Sequence, residues 1–506
     1  MTESSSVFPS PVYAREILGP AFEFAASHLF GPMTLANKAH AVMLVERGIV
    51  ERDAGAALLS AIQGAGNLGA GGYVYDPVFE DLFFAVESRI IELAGSDAGG
   101  NLQLARSRND LDAVMIRLVL RELLLEIGEA LLALRRVVVD LAEQHVETVM
   151  PGVTHSQEAQ PTTLAHYLLG VAGPLVRDGN RLRLAFDHTN QSPLGAAAFT
   201  TTSFPIDRDR VAELLGFDGI VENGYDAVGG ADYMVEAVGV MRACVLSLVR
   251  FVNDLLIWSR TEVGVARVGE EFIQISSIMP QKRNPVVLEH IRARVGYVLG
   301  DAAAVESMVQ SASFGDTVDV EDPIYVPLVR CGGSTARILT LLTAVLRTIS
   351  FDRERLRQRS EAGFGASTEL AELLTREHGL SFRQAHTVAA RIVRELAGVG
   401  SDLRSLTPEM LRRVALDACG REIDVTQEQL HDAIDPLGFV RRRSIPGGPA
   451  PHAITAAMGR DRDDQERFAA WLSERRSLLT LALDGLDERV SELSHPSSRG
   501  LVEGQR

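Results

Sequence analysis

Gln274-Ile275-Ser276-Ser277-Ile278-Met279-Pro280-Gln281-Lys282-Arg283-Asn284-Pro285 is the stretch on which the reading of this chain turns. Two hydroxyls, a lysine and an amide fall between Ser276 and Asn284. Pro280 and Pro285 each fix a backbone φ and remove an N–H, so the segment cannot be regular helix. Long apolar segments of helical period flank it. A polar, proline-set loop between buried helices fits a site carried on a rigid scaffold. The competing reading is a plain helix–helix connection that happens to carry a lysine.

Working outward, five long helical segments can be drawn, at 112–149, 162–190, 231–262, 286–311 and 326–350. In the third, Met234, Val238, Met241, Val245, Leu248, Val252, Leu255 and Trp258 recur at steps of three and four, which makes one apolar stripe. Such helices in series predict an all-α protein with a long central bundle and little sheet. The 112–149 segment is apolar on most faces. We expect burial between subunits to explain that, and hence an oligomer.

The chain divides into an N-terminal mainly helical part (1–111), the bundle (112–365) and a C-terminal part of shorter helices with an extra helix and tail (366–506). In the first, 35–48 and 52–63 read as helices. In the last, 366–377, 381–397, 407–416 and 426–432 do, with Ser381 and Thr407 as N-caps, and 463–494 reads as a further amphipathic helix. Gly64-Ala65-Gly66-Asn67-Leu68-Gly69 matches the dinucleotide-binding pattern formally, but a helical pattern precedes it where a strand is required, so it reads as a turn.

With 506 residues the chain exceeds one small core. A formal charge of −17 argues against nucleic acid or an anionic membrane as partner. Apolar stretches are broken by charges such as Arg117, Arg121, Glu122 and Glu126, so no membrane span is expected. Cys244, Cys331 and Cys419 are scattered, which supports neither a zinc site nor a disulfide framework, and a reducing cytoplasm is the expected location. The Ser/Pro-rich start, 1–11, lacks the pattern of a signal peptide, and the last dozen residues are expected to be disordered.

Two further polar clusters stand in apolar surroundings. Arg106-Ser107-Arg108-Asn109-Asp110 precedes the first long helix. Forked arginine donors at a helix start suit a carboxylate, although a capped helix, with Asn109 or Asp110 as N-cap, would look the same. Gly152-Val153-Thr154-His155-Ser156-Gln157-Glu158-Ala159-Gln160-Pro161 sets a histidine, whose charge changes near neutral pH, among hydrogen-bonding side chains. Glu289, on the first turns after the opening loop, could orient a histidine and stabilise its charge; a plain acid near a helix N-terminus is the alternative.

Together these stretches resemble the aspartase/fumarase superfamily. Ser276 to Asn284 fits its GSSxMPxKxN signature in all but the leading glycine. Within it the chain looks most like argininosuccinate lyase, which carries Arg-Ser-Arg-Asn-Asp, Thr-His-x-Gln-x-Ala-Gln-Pro, Pro-Leu-Gly (193–195) and Phe-x-Ile-Asp-Arg (204–208). Phe382, Arg383 and His386, with the Gly447-Gly448 turn, match its C-terminal part. The resemblance implies a homotetramer with a twenty-helix core and active sites assembled from three subunits. It implies a fumarate-releasing β-elimination of an N-substituted aspartate in arginine biosynthesis, without metal or organic cofactor. By motif position Ser276 is the base, and Lys282 and Asn284 bind the carboxylate that becomes an aci-carboxylate. Arg108, Asn109 and Thr154 hold the succinyl group, with Ser107, Ser277, Met279 and Gln160 completing the substrate-binding set. His155, paired with Glu289, lies beside the substrate; the residue that protonates the leaving nitrogen is left open.

The chain also departs from that pattern. Ile275 replaces the loop glycine, Leu111 a glutamine, Phe83 a histidine and Val286 an aspartate. The family's Tyr-Asn-x-Asp-x-Gln-Glu-Asp-Lys appears as Gly315-Asp316-Thr317-Val318-Asp319-Val320-Glu321-Asp322-Pro323, without the tyrosine, glutamine and lysine. That stretch helps hold the substrate in the family, so the elimination half looks intact and recognition of the remainder looks altered. The same elimination on another N-succinyl compound, an aminopolycarboxylate such as ethylenediamine-disuccinate or a biosynthetic intermediate, is therefore the rival, and a crystallin-like non-catalytic scaffold the more distant one.

Overall fold

The structure, a computed structural model, describes residues 8–495. The disordered tail expected at the C-terminus, beyond 495, and most of the Ser/Pro-rich start fall outside them. Three N-terminal helices, α1 (Phe30–Glu46), α2 (Arg52–Asn67) and α3 (Leu82–Ala94), lead into the bundle. The Gly64–Gly69 motif is the end of α2 and the turn after it, with no strand ahead, so the dinucleotide reading stays excluded.

The bundle is α4 (Arg108–Gln144), a hairpin of β1 (Val149–Thr154) and β2 (Gln157–Thr163), then α5 (Leu164–Thr189) and α6 (Asp232–Trp258). Next come the two-residue strands β3 (Gln274–Ile275) and β4 (Arg283–Asn284), then α7 (Val286–Ser311) and α8 (Asp322–Thr348). The five long helices lie where the apolar period places them, and strands are few and short.

The start of α4 differs from expectation. Ser107, in extended conformation, is the N-cap, and Asp110 answers by accepting the Ser107 N–H at 3.0 Å. A reciprocal capping box uses both residues and starts the helix at Arg108, earlier than an Asn109 or Asp110 cap would. The all-round apolarity of α4 also has another cause than the one expected. Within one chain α4 packs against α5, α8, α1 and the C-terminal helix, so its faces are covered without a second subunit.

Side-chain contacts fix the helix directions. Arg117, near the start of α4, donates to the His188 and Thr189 carbonyls at the end of α5 and stacks on Tyr233 at the start of α6. Trp258, ending α6, meets Tyr167 at the start of α5. Arg242 on α6 pairs with Glu306 on α7 at 2.6 Å, and Arg330 on α8 donates to Asp301 on α7 at 2.9 Å. Successive helices therefore run up and down. The start of α4 shares one end of the bundle with the starts of α6 and α8. The hairpin and the β3–β4 loop occupy the other end.

Beyond 366 a second core forms among α9 (Ser367–His378), α10 (Phe382–Gly398), α11 (Pro408–Cys419), α12 (Gln427–Ile434) and α13 (Pro436–Arg442), centred on Leu374, Val388, Leu411 and Phe439. Ser381 and Thr407 cap α10 and α11, as read from the sequence. Arg442 and Arg443, with Arg376, converge on the buried Glu369. The last helix, α14 (Pro451–Leu493), starts earlier than 463 and its apolar side joins the bundle's core, along α4 and α5.

Candidate active site

The opening loop is a β-hairpin. Gln274 pairs with Asn284 and Ile275 with Arg283, so the two ends of the signature are held together. Between them Ser276 Oγ accepts the Met279 N–H at 3.0 Å and approaches the Ile278 N–H at 3.4 Å, while Lys282 N–H donates to the Met279 carbonyl. A hydroxyl facing two amide N–H groups is placed where an alkoxide would be stabilised. Ser277, Met279 and Lys282 are exposed at the tip and Asn284 is half-buried at its base. Arg283 pairs with Glu270 and braces the hairpin from outside. Ile275, in place of glycine, points into solvent and leaves the ladder intact.

His155 and Ser156 form the two-residue turn between β1 and β2. Both have positive φ, 51° and 62°, as a tight hairpin demands. His155, Thr154 and Gln160 are exposed, and Gln160 donates to Thr368 Oγ1 at 3.1 Å, tying the hairpin to the second core. A cavity of about 630 Å³ lies behind, lined by Thr154, Gln160, His166, Tyr167, Asp254 and Arg443. Glu289 is exposed on the first turns of α7, and no hydrogen bond joins it to His155.

The third cluster is braced from behind. Arg106 is buried and donates to Asn37 Oδ1 at 2.8 Å, and His40 bonds the Leu104 carbonyl at 2.9 Å, so α1 fixes the segment entering α4. Asp110 accepts the N–H groups of Gly195 and Ala197 at 2.8 and 2.9 Å, which seats the Pro-Leu-Gly loop on the same helix start. Burial, only partly offset by those bonds and by Arg106, lifts its carboxyl to about 6. Arg108 pairs with Asp81 at 2.7 Å and Glu80 at 3.7 Å, over the Phe84 ring. Asn109 donates to Asp316, in the altered stretch. Leu111 and Phe83 are buried in the core.

One chain does not unite these clusters. The Ser276 loop and the His155 turn are at one end of the bundle; Ser107, Arg108 and Asn109 are at the other. The 26 residues of α7 alone separate the ends by roughly 40 Å. A second cavity, about 970 Å³ between α1, α2, α4 and α14, touches none of the three clusters. Among the described residues no group of His, Cys, Asp and Glu is placed to hold a metal ion, and no helix is long and apolar enough to cross a membrane.

Sequence reasoning missed the supporting residues Asn37, His40, Glu80 and Asp81, which lie far from the motifs, and the contact of Asp316 with Asn109. Asp110 was read as a possible N-cap; its capping-box role could have been found, since Ser-x-x-Asp ahead of an apolar run is that signal.

Comparison with known proteins agrees with this architecture. The lyase family model matches residues 74–300 and the argininosuccinate lyase C-terminal model residues 364–441. The chain is 38% identical over 453 residues to an argininosuccinate lyase of Methanoculleus marisnigri, covering 89% of this chain and 91% of that one. It is 35% identical to argininosuccinate lyase 2 of Agrobacterium fabrum, covering 92% and 93%. Among solved structures, ethylenediamine-disuccinate (EDDS) lyase with formate superposes with a TM-score of 0.85 at 30% identity, over 94% of each chain. A class II fumarase of Schistosoma mansoni (TM-score 0.66, 16% identity, 81% and 90% covered) shares the fold. Fold and motifs together define a carbon–nitrogen lyase of the aspartase/fumarase superfamily. Within it, the chain belongs to the argininosuccinate lyase family.

Proposed function

We propose that the protein converts argininosuccinate to arginine and fumarate, in the cytoplasm, as a homotetramer whose sites each draw on three copies. The observation that carries this reading is the Ser276 hairpin, with its hydroxyl on two loop amides and Lys282 and Asn284 beside it. Ser276 removes the proton from the carbon next to a carboxylate. Lys282 and Asn284 hold that carboxylate as it takes up charge. The C–N bond then breaks, nitrogen leaves with the electron pair and takes a proton, and fumarate remains. Arg108, Asn109 and Thr154, with Ser107, Ser277, Met279 and Gln160, grip the succinyl part, and His155, turned by Glu289 of another copy, faces the leaving side. A carbon acid of this kind needs donors aimed at charge that appears only in the transition state, each worth on the order of 10²–10³ in rate.

The clusters stand at opposite ends of each bundle, so the reading requires bundles packed head to tail. The α6–α8 surface supports this, because Leu246, Ile257, Tyr297 and Val326 are exposed along it. A mixing experiment tests both halves. Chains carrying Ser276→Ala and chains carrying Asn109→Ala are each expected to release no fumarate, and to regain a measurable part of the activity when refolded together. No recovery in mixed assemblies of confirmed size would reject the shared site.

A second reading keeps the elimination and changes the amine. It is favoured by the lost tyrosine, glutamine and lysine at 315–323 and by the likeness to a lyase named for EDDS. Fumarate absorbance with argininosuccinate and a panel of N-substituted aspartates separates the two; a folded assembly that releases fumarate from none would be a scaffold.

A further inference from the structure

Asp316 is the residue to follow, because it joins the altered stretch to the succinyl-binding cluster through Asn109. Its side chain also bonds Glu321, and Asp322 follows at the start of α8. Asp112, one turn along α4 from Arg108, faces Asp322 and Glu321 and makes no hydrogen bond or ion pair of its own among the described residues. Arg108 is already paired with Asp81 and Glu80. Five acids, Glu80, Asp81, Asp112, Glu321 and Asp322, therefore lie around one arginine that is itself occupied, and Asp316 adjoins them through Glu321. Behind them Tyr325, 2% exposed, presents a hydroxyl toward Asp112, Asp322 and Glu321 that makes no hydrogen bond among the described residues. An unpaired phenol beside crowded acids makes this an acidic corner suited to a hydrogen-bonding cation.

The other side of this corner is aromatic. Phe199 and Tyr225 stand 4.9 Å apart between ring centroids, and Tyr225 stacks on Phe314 at 6.1 Å and 8°. All three are exposed, by 44%, 46% and 69%. The contact is built in: a Cβ on Gly229 would lie 2.8 Å from Gly315 Cα, so only glycine lets Phe314 and Asp316 sit this close to the Tyr225 helix turn. Exposed ring faces next to carboxylates attract cations twice, by quadrupole and by charge. Burial and the neighbouring Asp316 push the Glu321 carboxyl up, as expected of acids crowded together without a counter-ion.

We propose that Phe199, Tyr225, Phe314, Asp316, Glu321 and Asp322 form the subsite for the amine half of the substrate. They select an amine half by its positive charge and give no purchase to a carboxylate there. The proposal rests on the elimination reading above and narrows its substrate class to N-substituted aspartates with a cationic amine half. It places the carboxylate-rich amine halves of aminopolycarboxylates among poor substrates, because a carboxylate would meet like charge with no free cation. The family's lysine is replaced by Pro323, which is consistent with that loss.

The test compares argininosuccinate with its decarboxylated analogue, the N-succinyl derivative of 4-aminobutylguanidine, and with ethylenediamine-disuccinate. The decarboxylated analogue is expected to show a kcat/KM at least equal to that of argininosuccinate and tenfold or more above that of ethylenediamine-disuccinate. Glu321→Gln and Phe314→Ala should each raise KM for the cationic substrates five- to tenfold while kcat changes less than twofold. A tenfold preference for argininosuccinate over its decarboxylated analogue, or variants that lower kcat without moving KM, would overturn the subsite. If no compound yields fumarate, the elimination reading has failed instead. Calorimetric binding of 4-aminobutylguanidine against arginine then decides the subsite alone: tighter binding of the decarboxylated cation, weakened in Glu321→Gln, supports it, and equal or weaker binding rejects it.

Discussion

At the scale of single residues, the proposed elimination turns on how a serine can be basic. An unassisted hydroxyl is a poor base at neutral pH; stabilising its alkoxide requires donors already in place. In Ser276 two loop amides point at Oγ, so the stabilising dipoles belong to the backbone and survive side-chain substitution. Ser276→Ala is therefore expected to cut fumarate release by at least 10³, more than loss of a single donor. Binding of succinate, read by calorimetry, should stay within about threefold, because Arg108, Asn109 and Thr154 are untouched. Activity retained in that variant would remove Ser276 from its role. The loop was legible in the sequence as a candidate site, because proline, hydroxyl and lysine at fixed spacing have few other uses together. Its amide partners were not, since a turn conformation depends on backbone dihedrals that residue types only restrict.

At the scale of elements, α14 shows what periodicity captures and what it leaves out. Its helical pattern is readable from 463, but its target is not, because the docking side is set by charges on distant helices. Arg135 of α4, fully buried, donates to Asp464 and Asp461 of α14 at 2.8 and 3.2 Å. Arg462 pairs with Glu143 at 2.7 Å, Arg476 with Glu129 at 2.8 Å and Arg489 with Glu46 at 2.6 Å, so the helix is pinned along its length. The exposed pairs contribute little individually. The Arg135 group differs, because removing its acids leaves a charge in the core. Asp461→Ala with Asp464→Ala is expected to destabilise by about 3–5 kcal/mol, whereas adding Arg135→Met should restore most of that. Urea unfolding of the three variants checks it; a small loss in the double variant would show that water reaches the guanidinium. The same logic explains the misjudged α4. Apolarity on all faces says that a helix is surrounded, and only the tertiary arrangement says by which chain.

At the scale of the whole molecule, the five long helices, their order and the three clusters were legible because each is a local pattern of period or motif. The separation of the clusters by a helix length was not, since it follows from the up-and-down course of the chain. The same course links the stability of the molecule to its site through two buried histidines. His40 on α1 is held near 3, by burial first and then by Arg106, and His145 near 4, by burial and Arg353. Both lie below the usual 6.5, so the folded protein keeps them neutral while the unfolded chain takes up protons as pH falls. The stability they contribute is full above about 6.5 and is lost as pH drops from there toward 3–4. For His40 alone the loss at pH 4.5 is on the order of 3 kcal/mol, two pH units at about 1.4 kcal/mol each. His40 bonds the Leu104 carbonyl, and Ala105 (φ 62°) and Arg106 follow it into the cluster proposed to bind the succinyl group. Acid should therefore loosen residues 104–109 before the bundle melts. In His40→Gln, which can still donate to Leu104, the fall in unfolding free energy between pH 6.5 and 4.5 is expected to shrink by that amount, and fumarate release should persist to lower pH. An unchanged pH dependence in the variant would place the acid-sensitive group elsewhere.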